Sequence, residues 1–537
     1  MQKSAVLPED QYFHTLSESE IWQRYCGFLD LSLDEFMAIQ ERLLMEQIDL
    51  VYSSPLGRKI VGNQKPKDVQ EFRQLVPLTT YKDYEPFLDE QREDALAEKP
   101  YFWAHTSGRG GYFKWVPYTE KGFDALTRCG LGTLILSTAK SKGEVNIKPG
   151  QRVLLLIPPR PYITGSANYY MSTSRFSMNI IPPSDIADTL EFQDRVSLGF
   201  TTALRTGVDI VFSIGSILAK VGEMMASQAS GMKVSRSLMH PAVLTRLISA
   251  WLRSKRLGRG MLPGDLWQAK AIITGGTDAQ IYKSNIARYW GQVPYECYGA
   301  TEVLFIAMQA WNKRWLTFTP EMAFWELIPD TERRKAFDNP GYRPATVLLN
   351  EVKPGQDYEV VLTHFHGMPL LRYRIGDVIR VTAPEDEEAG IKLPQIVFKS
   401  RIGDEIGLFG LTMLDERTVW QAIVNTGIEF EDWSAHKQIE DNQTCLRIYL
   451  EPKGRFETDH MEQVIDSQLR AIDIDYRDIG DHLGLRPVRV TPLSPGTFQR
   501  YYEEKRKEGA DLAHLKPPHM NPPADIVALL LKLSQQG

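Results

Sequence analysis

The stretch Tyr298-Gly299-Ala300-Thr301-Glu302 decides the fold, because it joins a predicted buried strand at residues 293–298 to a turn of small and polar residues. Upstream, the turn Gly275-Gly276 follows another predicted strand at residues 271–274. Strands separated by a helical segment are typical of a layered α/β fold. Ligands of such folds bind beyond the carboxyl ends of the strands. Both turns are therefore predicted to border a ligand site.

The segment from about residue 100 to residue 330 repeats this alternation. Predicted strands lie at 153–157, 178–181, 208–214, 271–274 and 293–298. Predicted helices lie at 119–137, 187–205, 216–228, 241–254 and 278–291. The apolar strand segments are far shorter than a membrane span and suit buried parallel strands. The pattern predicts α/β layering around mostly parallel sheet.

The flanking segments have a different character. Residues 16–60 have the apolar spacing of helices, and Thr80 or Thr79 is expected to cap a further helix. Antiparallel strands are predicted at 345–349, 358–363, 377–381 and 395–400. After residue 402, two helices (415–425 and 459–471) and two strands (444–451 and 485–490) predict a small α+β domain. We expect a large N-terminal domain of several subdomains over residues 1–402 and a small C-terminal domain over residues 403–537.

Composition narrows the classes of function. At 537 residues the chain is too long for one compact core, and its net charge of -6 argues against general nucleic-acid binding. The four cysteines are scattered, without the close pairs of a zinc ribbon or a disulfide framework, so a reducing, cytoplasmic setting fits best. No signal peptide or membrane-length apolar run is apparent. Neither a nucleic-acid nor a membrane partner is expected.

Two further motifs have residue types suited to binding a nucleotide. The segment from Thr106 to Lys114 is rich in glycine and hydroxyl groups; its glycines let backbone N–H groups approach phosphate oxygens, and Lys114 adds positive charge. It lacks the G-x-x-x-x-G-K-[ST] order of a Walker P-loop, and alone it is more simply interpreted as a flexible surface loop. The segment Tyr373-Arg374-Ile375-Gly376-Asp377, taken alone, also describes an ordinary strand with an Arg–Asp pair.

Together, in this order and at these separations, the three motifs resemble the ATP site of acyl-adenylate-forming enzymes. The first resembles a phosphate loop usually close to T-S-G-T-T-G-x-P-K, with Arg109-Gly110 and Phe113 as departures. The other two match Y-G-x-[ST]-E and Y-R-x-G-D. The nucleotide site implied by this resemblance comprises Thr106, Ser107, Gly108, Arg109, Gly111, Gly275, Gly276, Tyr298, Gly299, Thr301, Asp377 and Arg401.

The resemblance also implies individual roles. Tyr298 would stack on adenine, Thr301 would hold the α-phosphate, and Asp377 would accept hydrogen bonds from both ribose hydroxyls. The catalytic residues would be Lys114, Glu302 and Lys516, with Glu302 as the ligand of Mg²⁺. Gly403-Asp404 would be a hinge between the domains.

Within this superfamily the chain most resembles the auxin-responsive acyl acid amido synthetases, the Gretchen Hagen three family, over most of its length. Residues 76–86 resemble that family's P-x-x-x-Y-x-D segment. Residues 495–518 resemble its G-T-F…Q-x-K-x-P segment, with His514 in place of the glutamine. By this resemblance residues 1–402 bind ATP and the acyl group, and residues 403–537 form a mobile lid whose Lys516 neutralises charge as pyrophosphate leaves.

The implied function is a two-step ligase with ATP and Mg²⁺ as cofactors. A carboxylic acid becomes an acyl-AMP with release of pyrophosphate, and an amine, such as an amino acid, then takes the acyl group. One alternative is a thioester-forming acyl-CoA ligase, because residues 368–374 resemble phenylacetate–CoA ligases. Another is a catalytically silent nucleotide-binding homologue. The pair His364-x-His366 has the spacing of metal ligands, but without a third ligand it predicts a structural or surface role.

Overall fold

A computed structural model of the chain describes residues 6–106, 114–190, 192–227, 240–275, 279–339, 341–401, 405–409, 412–440, 443–474, 476–478, 486–507 and 519–536. These residues form two compact units, one up to Arg401 and the other from Glu405 onward. None of the helices in these ranges combines the length and the apolar character needed to cross a membrane.

The strands of the first unit are β1 (Pro100–His105), β2 (Trp115–Thr119), β3 (Gln151–Leu156), β4 (Met178–Ile181), β5 (Ile210–Ile214), β6 (Ala271–Gly275), β7 (Tyr295–Tyr298), β8 (Ala307–Gln309), β9 (Leu316–Phe318), β10 (Ala323–Pro329), β11 (Asp357–His364), β12 (Tyr373–Ala383) and β13 (Gln395–Arg401). Its α-helices are Pro8–Thr15, Glu18–Cys26, Leu33–Val51, Pro55–Val61, Val69–Leu75, Tyr81–Leu88, Glu120–Thr138, Ile163–Ser174, Ser184–Ala187, Phe192–Thr206, Gly215–Ser227, Pro241–Arg256, Pro263–Leu266, Ala279–Trp290 and Asp330–Asp338. Short 3-10 helices are Gly27–Asp30, Glu93–Ala95 and Leu349–Glu351.

One eleven-stranded sheet organises the first unit, in the order β10-β11-β12-β13-β9-β8-β7-β6-β5-β3-β4. The pairs from β4 to β7 are parallel, as the alternating strands and helices predict. From β7 to β10 every pair is antiparallel. The predicted α/β class is confirmed, and the parallel and β-rich regions are continuous parts of a single sheet.

Two adjacent threonines, each a candidate cap in the sequence, have different roles in the structure. Thr80 begins the helix Tyr81–Leu88 and forms a capping box with Asp83, which confirms it as the predicted cap. Thr79 instead donates from its hydroxyl to the carbonyl of Leu371, at 2.7 Å. Thr80 therefore caps the helix, and Thr79 connects the start of that helix to the residues just before β12.

The structure also departs from the predicted elements. The predicted strand at 345–349 is wrong: Val347 forms one isolated bridge to Leu327, and the 3-10 helix Leu349–Glu351 follows. The hairpin of β1 and β2 and the helix Ile163–Ser174 were not predicted. That helix contains no charged residue and buries positions without a clean apolar stripe, so its periodicity gives no signal.

A β-bulge in β12 explains the glycine of the third motif. Glu359 pairs with Val378 and Val361 with Arg374, so three residues of β12 stand opposite Val360 alone. Gly376, in the middle of the bulge, has a φ of 80°, which side chains with a Cβ rarely adopt. A bulge bends a strand and re-aims the neighbouring side chain, which here belongs to Asp377.

The second unit is the predicted small α+β domain. It contains the hairpin of β14 (Glu405–Leu408) and β15 (Thr412–Asp415), and a sheet of β16 (Phe430–Glu440), β17 (Gln443–Pro452) and β18 (Val488–Pro492). Its helices are Glu416–Asn425, Thr458–Ile472, Thr497–Lys507 and Ala524–Ser534. Part of its core, which includes Tyr449, Phe498 and Leu530, packs the last two helices together.

The turn after β7 folds back tightly on itself. The N–H of Ala300 donates to the carbonyl of Val303, and the N–H of Ile306 donates to the carbonyl of Tyr298, both at 2.9 Å. A Cβ added to Gly299 would lie 1.7 Å from the carbonyl oxygen of Leu304. The close approach of two backbone segments therefore requires glycine at this position.

We expect Gly299→Ala to lower the free energy of unfolding by about 2 kcal/mol, since backbone must move to admit the methyl group. The matched control is Gly275→Ala, at the end of the neighbouring strand β6, where the nearest atom to an added Cβ is 3.8 Å away. Urea denaturation followed by tryptophan fluorescence measures both. Equal stability of the two variants would contradict the tight turn.

Candidate active site

Two crossed hydrogen bonds join the second and third motifs. Tyr298 donates from its hydroxyl to a carboxylate oxygen of Asp377 at 2.8 Å, and Tyr373 donates to a carboxylate oxygen of Glu302 at 3.1 Å. All four residues are buried, with at most 6% of their surface exposed. Each motif thus contributes a tyrosine to the carboxylate of the other. The structure brings together Tyr298, Glu302 and Asp377, which the sequence predicts as site residues.

The elements that carry these residues explain the arrangement. Tyr298 is the last residue of β7, at the carboxyl end of the parallel strands where ligands of α/β folds bind. Asp377 is the last residue of the bulge in β12 and stands opposite Arg401 in the pairing with β13. Phe398 of β13 packs against the ring of Tyr298, with ring centres 5.4 Å apart.

The backbone of Glu302 is held by a buried histidine. The Nε2 of His364 lies 2.8 Å from the carbonyl oxygen of Glu302, and the Nδ1 accepts from the N–H of Leu370 at 3.2 Å. Because Nδ1 accepts, Nε2 carries the proton and donates to Glu302. Burial lowers the pKa of His364 to about 3, so the ring is neutral. Tyr118 adds hydrogen bonds from its hydroxyl to the carbonyls of Thr301 (2.8 Å) and Glu302 (3.3 Å).

His366 has a similar bond, with its Nε2 2.9 Å from the carbonyl oxygen of Glu321. The structural role predicted for His364-x-His366 is therefore confirmed. The sequence does not predict the contact of His364 with Glu302, because no sequence pattern connects residues so far apart.

The first motif connects the two strands of the β1–β2 hairpin. The N–H of Thr106 donates to the carbonyl of Lys114 at 3.1 Å, and the N–H of Lys114 donates to the Thr106 hydroxyl oxygen at 3.3 Å. These two residues close the base of a seven-residue connection. The ammonium of Lys114 lies 5.6 Å from the centre of the Tyr81 ring.

The remaining predicted site residues are less fully defined. Gly275 ends β6, and the side chain of Arg401 lies outside the described part of the chain. Several predicted positions lie wholly outside the described residues: Ser107, Gly108, Arg109, Gly111, Gly276, the hinge Gly403-Asp404, and Lys516.

A buried ion pair beside the third motif was not predicted. Arg372 donates to both carboxylate oxygens of Glu326 at 2.9 and 2.8 Å, and to the carbonyls of Arg73 and Val76 at 2.6 and 2.7 Å. The next residue but one, Arg374, forms a second two-point pair with Glu359, with both distances 2.7 Å. These pairs anchor the start of β12 to its neighbours.

The segment at residues 76–86 supports the same strand. The N–H of Thr79 donates to the carbonyl of Arg372, and the N–H of Arg374 donates to the carbonyl of Thr79, both at 2.9 Å. The hydroxyl of Tyr84 accepts from the N–H of Leu371, also at 2.9 Å. The N-terminal segment singled out in the sequence therefore braces the strand that carries Tyr373 and Asp377.

Comparison with known proteins places these features in a family. The chain matches the GH3 family N-terminal domain over residues 27–195, the GH3 family central domain over residues 316–401, and the GH3 family C-terminal domain over residues 416–523. The three domains occur in this order along the chain and together match well over half of it.

Individual relatives agree with this assignment. A jasmonoyl-L-amino acid synthetase, JAR4, from Nicotiana attenuata is 24% identical over 220 residues, which are 39% of this chain and 36% of the relative. The chain thus spans about a third of that relative's length. A protein named "Probable indole-3-acetic acid-amido synthetase GH3.2" from Oryza sativa subsp. japonica is 22% identical over an alignment that covers 94% of this chain and 91% of the relative.

A solved structure has the same fold. The AtGH3.15 acyl acid amido synthetase, in complex with 2,4-DB, superimposes with a TM-score of 0.52 at 18% identity, over 96% of this chain and 97% of that chain. With three matched domains in order, a full-length relative and a shared fold, the chain belongs to the GH3 family.

Proposed function

We propose that the protein is an ATP-dependent ligase that activates a carboxylic acid as an acyl-adenylate and transfers the acyl group to the amine of an amino acid. The observation that carries the proposal is the crossed pair of hydrogen bonds, which holds the carboxylates of Glu302 and Asp377 together at the carboxyl end of β7. The names of its relatives, which describe amide synthesis with indole-3-acetic acid and jasmonoyl–amino acid synthesis, support an amino acid as acceptor.

In this proposal ATP lies at the carboxyl end of β7, beside the first half of β12 and the base of the β1–β2 hairpin. Asp377 accepts hydrogen bonds from the ribose hydroxyls, and the ring of Tyr298 packs on adenine. Thr106, Lys114 and the glycine-rich segment between them contact the phosphates. The acyl carboxylate attacks the α-phosphorus and the bond to pyrophosphate breaks, while Lys114 and Lys516 stabilise the negative charge that develops.

The residues present fit a magnesium ion held mainly by ATP. In the described part of the chain, Glu302 accepts from the neutral hydroxyl of Tyr373 and has no ion-pair partner. No group of three metal-ligating side chains occurs among the described residues. Mg²⁺ is commonly bound by one or two carboxylates plus substrate phosphates. Glu302 would hold the ion, whose charge would stabilise the phosphate oxygens.

The second half-reaction completes the proposal. The neutral amine nitrogen attacks the acyl carbon, the bond to AMP breaks, the nitrogen loses a proton to solvent, and the amide and AMP leave. The action of residues 403–537 as a mobile lid that shields the acyl-adenylate from water belongs to the same proposal. A cytosolic location is also part of the proposal, because all four cysteines are free, as is usual in a reducing compartment.

We expect carboxylate-dependent exchange of pyrophosphate into ATP in the presence of Mg²⁺, tested across aryl, indolyl and fatty acids. With the best acid, mass spectrometry should find an amide when amino acids are supplied. Formation of a thioester with CoA and of no amide would replace the proposed acceptor. ATP binding without exchange for any acid would favour a silent homologue.

We expect Asp377→Asn to weaken ATP binding about 10- to 100-fold, because the ribose hydroxyls lose bonds to an ionised group. Calorimetry with ATP and with 2′-deoxy-ATP measures this: the deoxy analogue should bind the native protein more weakly, and the variant should distinguish the two less. Asp357→Asn is the control, since Asp357, the first residue of β11, pairs with Arg380 and is not a predicted site residue. Unchanged ATP affinity of Asp377→Asn would remove the ribose role.

We expect Lys516→Ala to slow exchange about 100-fold or more with the KM for ATP largely retained, because the lysine acts on charge that develops in the transition state. Lys532→Ala, which removes an exposed lysine from the helix Ala524–Ser534, should exchange at the native rate. A native exchange rate in Lys516→Ala would defeat the assignment.

A further inference from the structure

Glu302 lies in a turn, so no strand pairing fixes its position. It follows β7 by four residues, and the next strand, β8, begins at Ala307. A buried carboxylate that must meet a cation needs a fixed direction, because a misplaced ligand loses much of the interaction. The residues that fix Glu302 are therefore part of the site even where they touch no substrate.

Two of the three donors to Glu302 come from one hairpin; the third, the hydroxyl of Tyr118 on β2, donates to the Glu302 carbonyl at 3.3 Å. His364 is the last residue of β11 and donates to the Glu302 carbonyl at 2.8 Å; Tyr373 is the first residue of β12 and donates to the carboxylate at 3.1 Å. Glu302 is thus held at its main chain and at its side chain by the two ends of the connection 365–372.

The connection itself is held from behind by Gln47, which is fully buried. Its side-chain carbonyl accepts from the N–H of Gly367 at 2.7 Å, and its amide donates to the carbonyl of Met368 at 2.6 Å. The N–H of His364 also donates to the carbonyl of Leu370 at 2.8 Å. The hairpin is therefore a rigid support for the two donors.

We propose that His364 and Tyr373 are positioning residues that hold Glu302 in the direction needed to bind the nucleotide-bound magnesium ion. His364 acts through the carbonyl of Glu302 and Tyr373 through its carboxylate. The inference rests on the proposed metal role of Glu302. It also assigns a task to the histidine pair, of which only the first member reaches the site.

The test is the gain in nucleotide affinity that the metal provides. Calorimetry measures the Kd of a non-hydrolysable ATP analogue, α,β-methylene-ATP, with Mg²⁺ and with EDTA; the ratio of the two is the metal-dependent gain. Tyr373→Phe removes one oxygen and should reduce this gain about 10-fold, as loss of a residue that orients a metal ligand does. The affinity measured with EDTA should stay at the native value.

Substitutions at the histidines give the matched comparison. His364→Phe removes the donor and should reduce the gain, while His364→Gln places an amide N–H near the Nε2 position and should restore much of it. His366→Asn is the control: it removes the equivalent bond to the Glu321 carbonyl and suits the φ of 61° at this position. The metal-dependent gain in affinity of His366→Asn should equal that of the native protein. If His364→Phe does not fold, Tyr373→Phe and His364→Gln still provide the measurement.

Glu302→Gln separates this inference from the proposed function. If Glu302→Gln loses the gain but Tyr373→Phe and His364→Phe keep it, the positioning role is overturned and the metal role stands. If Glu302→Gln keeps the gain, the metal role fails and the positioning role falls with it. Equal losses with Mg²⁺ and with EDTA in Tyr373→Phe would indicate a purely structural role and also overturn the inference.

Discussion

The buried ion pair between Arg372 and Glu326 is the interaction on which the rest of the site depends. Both side chains are almost fully removed from water, and leaving either unpaired would cost about 3–5 kcal/mol. The carbonyls of Arg73 and Val76 accept hydrogen bonds from the same guanidinium. Together these contacts hold the start of β12 in a single position. Tyr373 is the residue after Arg372, and Asp377 follows on the same strand. The ion pair therefore fixes the positions of both side chains.

The contacts around Glu302 use neutral groups. Two tyrosine hydroxyls and a neutral imidazole hold the residue, one bonding the carboxylate and two the carbonyl, and in the described part of the chain no basic side chain pairs with it. Its negative charge therefore remains available to a cation that arrives with the substrate. A lysine or arginine in the place of Tyr373 would fix the carboxylate equally well but would cancel that charge.

The sequence predicts those parts of the fold that local patterns encode. Apolar runs of four to seven residues and helical spacing locate β3 to β7 and the helices between them, and the motifs locate Tyr298, Glu302 and Asp377. The missed features depend on distant partners: Arg372 and Glu326 are 46 residues apart, and His364 and Glu302 are 62 apart. The wrong strand at 345–349 has apolar, β-branched residues, but only Val347 bridges the edge strand β10. Composition alone does not distinguish an edge contact from a strand.

The continuous sheet limits how the protein can be divided. The GH3 family central domain, residues 316–401, begins at β9 and ends with β13, yet β9 is hydrogen-bonded to β8 outside it. A fragment cut at residue 316 would expose the free edge of β9 and its buried side chains, which invites aggregation. It would also separate Asp377 from Tyr298. The central domain recognised in the sequence is thus not a unit that folds on its own, and recombination between family members would succeed at the second unit more readily than within the sheet.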